Sequence, residues 1–132
     1  NASECITNGH AVCYVKSMLL AAMLRSQGIP TGLCYQRLAR ANDYILHGLN
    51  AVYLKERDMW VRVDARGNLP GKEAEFDVNR PDAEKLVFTV RPEMDEVDYD
   101  MIYANPPACI TDCLYVYEDA QDLLKQGLPA AL

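Results

Sequence analysis

Two kinds of hydrophobic patterning divide this chain. From Ala11 or Cys13 to Gln27 the positions are apolar nearly all round, most densely at Met18-Leu19-Leu20-Ala21-Ala22-Met23-Leu24. A helix that is apolar on every side is normally enclosed by the rest of the protein, so this segment is expected to be a central, buried helix. Gly28 suits the left-handed residue just past a helix end, and Pro30 prevents continuation. Asn1 to His10 reads as loop, with Asn8-Gly9 as a turn signal ahead of the helix. Thr31 to Leu38 reads as a strand, and Arg40-Ala41-Asn42-Asp43 as a polar turn.

The clearest alternation follows. Ile45 to Leu54 and Met59 to Ala65 flank the charged turn Lys55-Glu56-Arg57-Asp58 and read together as an antiparallel hairpin. With a symmetric turn, Leu54 faces Met59, Leu49 comes opposite Asp64, and His47 is the diagonal neighbour of Asp64 on the same face. Such neighbours lie ~7–8 Å apart at the backbone, within reach of an imidazole and a carboxylate. A slip of one residue would put them on opposite faces.

Gly67 to Asp82, rich in Gly, Pro, Asn and charge, reads as an excursion over the surface. Leu86 to Val90 reads as a short strand stopped by Arg91-Pro92, and Glu93 to Asp100 as acidic and irregular. Pro106-Pro107 opens a last helix, about Ala108 to Gln126, ended by Gly127 with Pro129 beyond. The order is helix, three or four strands, helix: an α+β fold with a central helix packed on an antiparallel sheet. A length of 132 residues suits one domain.

The helix start carries the chemistry. Amides at a helix N-terminus are unpaired and carry roughly half a positive charge, which favours thiolate over thiol. Cys13 is therefore a candidate nucleophile, His47 a candidate base, and Asp64 the group that orients the imidazole. Taken singly, each has a plainer explanation. A cysteine near a helix start is more often structural, a strand histidine is often a satisfied core or surface residue, and an aspartate after a strand is commonly a turn former. Their order and shared face favour catalysis. His10, one helical turn from Cys13, is the rival base, but it has no obvious carboxylate beside it. The Cys13 amide is one oxyanion-hole donor; Asn8, His10 or a residue upstream is the second. Trp60 shares the Asp64 face by strand parity and is a candidate wall of a substrate site, although a lone Trp serves equally well as plain core.

A net charge of −6 argues against nucleic acid and anionic membrane as partners. The longest apolar run, Met18 to Leu24, falls short of the ~18 residues of a membrane span. The cysteines Cys5, Cys13, Cys34, Cys109 and Cys113 fit no zinc spacing, so no metal and no cofactor is expected. Cys5, Cys34, Cys109 and Cys113 suit small core hydrophobes, and a reducing, cytoplasmic setting is expected. The polar opening Asn1-Ala2-Ser3-Glu4 is not leader-like. The abrupt start so near Cys13 leads to the expectation that earlier elements or a leader lie outside this sequence.

Three blocks resemble the transglutaminase-like superfamily, the papain-related Cys-His-Asp fold of animal transglutaminases, peptide N-glycanases and many bacterial cysteine proteases. They are Gly9 and Cys13 through Arg25-Ser26-Gln27-Gly28-Ile29-Pro30, then His47-Gly48-Leu49-Asn50-Ala51-Val52-Tyr53-Leu54, then Met59-Trp60-Val61-Arg62-Val63-Asp64. Asp98-Tyr99-Asp100-Met101-Ile102-Tyr103 is also similar to the tail of bacterial members. The resemblance implies Cys13 as nucleophile, His47 as base and Asp64 as orienter. It further implies a thiol acyl-transfer enzyme acting on a peptide or protein substrate through a thioester, with hydrolysis favoured. The alternatives are amine transfer and a non-catalytic binding module on the same fold. The chain departs from the family at Val15, where an acidic residue is common, at Ser17, where Ala is common, and at Ala65-Arg66, where Pro-Thr is common. These positions shape the pocket rather than the triad.

Overall fold

The computed structural model describes residues 12–68, 70–77, 79–81, 83–116 and 120–132. Helix α1 (Cys13–Ser26) follows directly on Val12, whose backbone is extended and which provides no side-chain cap. The first amide to close a turn is that of Lys16, onto the Val12 carbonyl at 3.2 Å. The helix ends as its sequence requires. Gly28 takes φ 77° and its amide meets the Arg25 carbonyl at 2.9 Å, while the Ile29 amide meets that of Leu24 at 3.0 Å. These paired bonds satisfy carbonyls that the helix would otherwise leave open.

The enclosure expected for this helix is not found. Tyr14, Ser17 and Ala21 are buried, Ala22 is exposed, and Met23 is 58% exposed. Residues three and four apart share a helix face, and α1 meets the sheet along that single stripe. Apolar residues all round a helix reveal its tolerance for burial but not how many faces the fold covers.

The sheet has four antiparallel strands in the order β3-β2-β1-β4: β1 (Thr31–Arg40), β2 (Asp43–Leu54), β3 (Met59–Val63) and β4 (Val97–Asp98). The β2–β3 register runs from Leu54 opposite Met59 to Asn50 opposite Val63, which is the register of a symmetric turn. That turn is a short 3-10 segment, Lys55–Arg57, closed by Asp58 in the left-handed region. The overall α+β order agrees with the sequence.

The fourth strand lies elsewhere than expected. Leu86 to Val90 forms no strand; its Val87 amide points to a carboxylate, 3.4 Å from Asp64 Oδ2, instead of joining a ladder. The edge pairing comes from the acidic stretch, where Val97 and Asp98 pair with Arg37 and Gln36. Glu96 anchors that stretch: its buried carboxylate accepts from the Arg91 guanidinium and backbone amide and from the Ala39 amide. At the C-terminal end α2 (Ala108–Val116) is followed by helical turns over Ala120–Asp122 and Leu123–Gly127, so the helical character expected up to Gly127 is present in the described residues.

Strand alternation separates two environments. On one side Leu33, Tyr35 and Leu46 pack with Tyr14, Ala21 and Ile110 into the main core. On the other, Cys34, Leu49 and Ala51 form a smaller buried group beneath Leu86. His47 shares the parity of the second group.

Candidate active site

A missing side chain allows α1 to approach β2 beside His47. A Cβ on Gly48 would lie 2.9 Å from Tyr14 Cδ1, 3.4 Å from Ser17 Oγ and 3.5 Å from Tyr14 Cα. The bare backbone at Gly48 therefore seats the first turn of the helix directly against the strand. The contact is fixed by hydrogen bonds. The Tyr14 hydroxyl donates to the Leu46 carbonyl at 2.6 Å, and the buried Asn50 amide donates to the carbonyls of Ser17 at 2.9 Å and Gly32 at 3.2 Å.

The structure brings together the three candidate residues. His47 Nε2 lies 2.8 Å from Asp64 Oδ2, and both side chains are almost completely removed from solvent. The Cys13 thiol lines the same cavity as the imidazole and lies near enough to shift its protonation. Burial acts to lower the His47 pKa, but the bond to Asp64 and the neighbouring Cys13 outweigh it and raise it to about 9. For Asp64, burial acts to raise the pKa. The bond to His47, its charge, and the backbone amides of Arg66 at 3.0 Å and Val87 hold the carboxyl below its usual range instead. Such a pair favours imidazolium over neutral imidazole, the partner that a thiolate requires.

Around this pair lies a cavity of about 280 Å³, lined by Cys13, His47, Val12, Lys16, Arg66 and Phe88 among others. Phe88 meets the imidazole edge-on, with ring centroids 4.9 Å apart and planes at 76°. The first residues of α1 line the same space, and first-turn amides, which have no partner within a helix, suit a developing oxyanion.

Trp60 does not line this cavity. It shares the Asp64 parity but stands at the opposite end of β3, 44% exposed and tilted against Tyr53 with ring centroids 5.4 Å apart. His10, Asn8 and Cys5 lie outside the described residues. Cys34 and Cys113 are buried and Cys109 half-buried, and the four described cysteines, Cys13 included, are free thiols. Burial pushes the Cys34 thiol up to about 11. Among the described residues, no group of three or more His, Cys, Asp or Glu side chains is arranged to hold a metal ion.

Sequence reasoning misses Gly48, Val87 and Phe88, and reaches Arg66 only as a position that shapes the pocket. The glycine immediately after His47 was the one available signal, since Gly within a strand often marks close backbone approach. Phe88 lay inside a segment whose alternation imitated a strand.

Residues 1–65 match the family model of the transglutaminase-like superfamily. No curated protein and no solved structure matches the chain significantly. Among the described residues, no helix is long and apolar enough to cross a membrane.

Proposed function

We propose that this chain, which carries a transglutaminase-like core over residues 1–65, is a thiol-dependent acyl-transfer enzyme that hydrolyses a peptide or amide bond. The observation that supports this most is the buried His47, bonded to Asp64 at 2.8 Å and sharing one cavity with the Cys13 thiol at a helix tip. His47 takes the thiol proton and Asp64 stabilises the resulting imidazolium. The Cys13 sulfur attacks the carbonyl carbon, and the oxyanion forms against the amides at the start of α1. Collapse breaks the C–N bond, the amine leaves with the proton returned by His47, and a thioester remains. Water, deprotonated by His47, attacks that thioester. The C–S bond breaks, the acid departs and the thiol is restored.

A peptide vinyl sulfone tests the nucleophile. The native chain should be captured at Cys13, and Cys13→Ala should not. Equal labelling of the two would favour a binding module. A peptide amide offered with a primary amine separates the two outcomes of the thioester: acid product supports hydrolysis, and an amide adduct supports amine transfer.

A further inference from the structure

The charge around Cys13 runs against that of the chain as a whole. The net charge is −6, yet among the described residues the ionisable side chains lining the Cys13 cavity, apart from Cys13 and His47, are the cations Lys16 and Arg66. Lys16 lies three residues after Cys13, on the same face of the helix. The Asp64 carboxylate is spent on His47 and buried. Among the described residues neither Lys16 nor Arg66 has an ion-pair partner.

Phe88 extends this collar. Arg66 stands 5.8 Å and Lys72 4.4 Å from the centre of its ring, and His47 meets its edge. Lys72 lines an adjoining cavity of about 580 Å³ that shares Leu38, Ile45 and Phe88 with the first. The carboxylate lining that second cavity, Glu96, is bonded to Arg91. One aromatic ring thus gathers two cations, Arg66 and Lys72, beside the His47 imidazole, with no free carboxylate among the lining residues described.

We propose that the Cys13 cavity selects an acidic substrate, an acyl donor bearing a carboxylate on the residue next to the scissile carbonyl, held by Lys16 and Arg66 with Lys72 at the approach. This specificity rests on the acyl-transfer reading above. Each basic side chain neutralises part of the substrate charge at the cavity mouth and steers it past an otherwise anionic surface. Arg66 and Lys72 are exposed and Lys16 half-buried, so their attraction for an anion is screened by salt and acts mainly on its approach and orientation.

Alkylation of the folded native chain by iodoacetate and by iodoacetamide, read at the Cys13 peptide by mass spectrometry, tests the proposal without any substrate. The two reagents differ in charge and share one reaction. Relative to the same ratio for glutathione, the iodoacetate-to-iodoacetamide rate ratio at Cys13 should be raised, and it should fall as salt is taken from about 0.02 to 0.5 M. Lys16→Gln and Arg66→Gln should each lower it about 1.5- to 5-fold; both reagents are read on the same variant, so any general change in thiol reactivity cancels from the ratio. His47 is present in every variant, so its charge cancels from the comparison. A ratio equal to that of glutathione, or one unchanged in the double variant, would overturn the acidic specificity. Iodoacetamide labelling no faster at Cys13 than in the denatured chain would instead defeat the acyl-transfer reading, so the two failures are distinguishable.

Discussion

On one side of β2, Leu46, Gly48 and Asn50 meet helix α1; on the other, His47 and Leu49 face the irregular segment that follows Asp64. The first side is ordered by volume, through close apolar contact and the fit of Tyr14 over a bare backbone. The second has a small apolar patch, Cys34, Leu49 and Ala51, and beside it a buried ion pair whose carboxylate is tied to the backbone amides of Arg66 and Val87. Packing therefore aims the thiol, and hydrogen bonds aim the imidazole. A single strand serves both because its side chains alternate.

If the second side depends on charge, its stability should follow pH, and here the largest effect is expected. The His47 pKa is raised above its ordinary 6.5, so its contribution is complete below that pH and is lost as pH rises through about 9. The Asp64 pKa is lowered below 3.8, so its contribution is complete above that pH and is lost in stronger acid. The pair thus stabilises the fold fully between about 3.8 and 6.5. Asp64→Asn should cost ~3–5 kcal/mol near pH 6, the usual penalty for stranding one member of a buried pair. Urea midpoints of the native chain and the variant should draw closer above pH 9; a gap independent of pH would mean that Asp64 acts through its bonds to the backbone amides and not through the His47 charge.

The packed side should respond to volume and be indifferent to pH. Gly48→Val forces a side chain into space held by Tyr14 and should cost ~1–3 kcal/mol. It should also slow iodoacetamide labelling of Cys13 by lifting the first turn of α1 away from His47. Unchanged labelling in a folded variant would show that the glycine does not set the approach.

Trp60 offers the smallest effect. Exposed and tilted against Tyr53, it should be replaceable by Ala for about 1 kcal/mol or less, with labelling of Cys13 unaltered. Slower labelling in Trp60→Ala would return it to the site it was first expected to wall.

These two sides also mark what the sequence could reveal. The β2–β3 register followed from a charged turn between two alternating runs, and that register alone put His47 and Asp64 on one face. The stop of α1 was written in Gly28 and Pro30. The enclosure of α1 was not legible, because coverage depends on which elements arrive beside a helix. Strand β4 is two residues long, too short for any period, and is held by the buried Glu96. Leu86 to Val90 has strand-like alternation, yet the Val87 amide serves Asp64 instead of a neighbouring strand. Phe88 and Arg66 reach the site through loop geometry, which has no periodic signature.

The central claim is that Cys13, His47 and Asp64 act as one unit. It is tested most directly by the rate at which Cys13 is acylated by p-nitrophenyl acetate in His47→Gln, Asp64→Asn and the double variant, measured where all are folded. If the three act together, His47→Gln should slow acylation by about 10²-fold or more, and adding Asp64→Asn should slow it little further. Acylation that is undiminished in His47→Gln, or two losses that simply multiply, would contradict it.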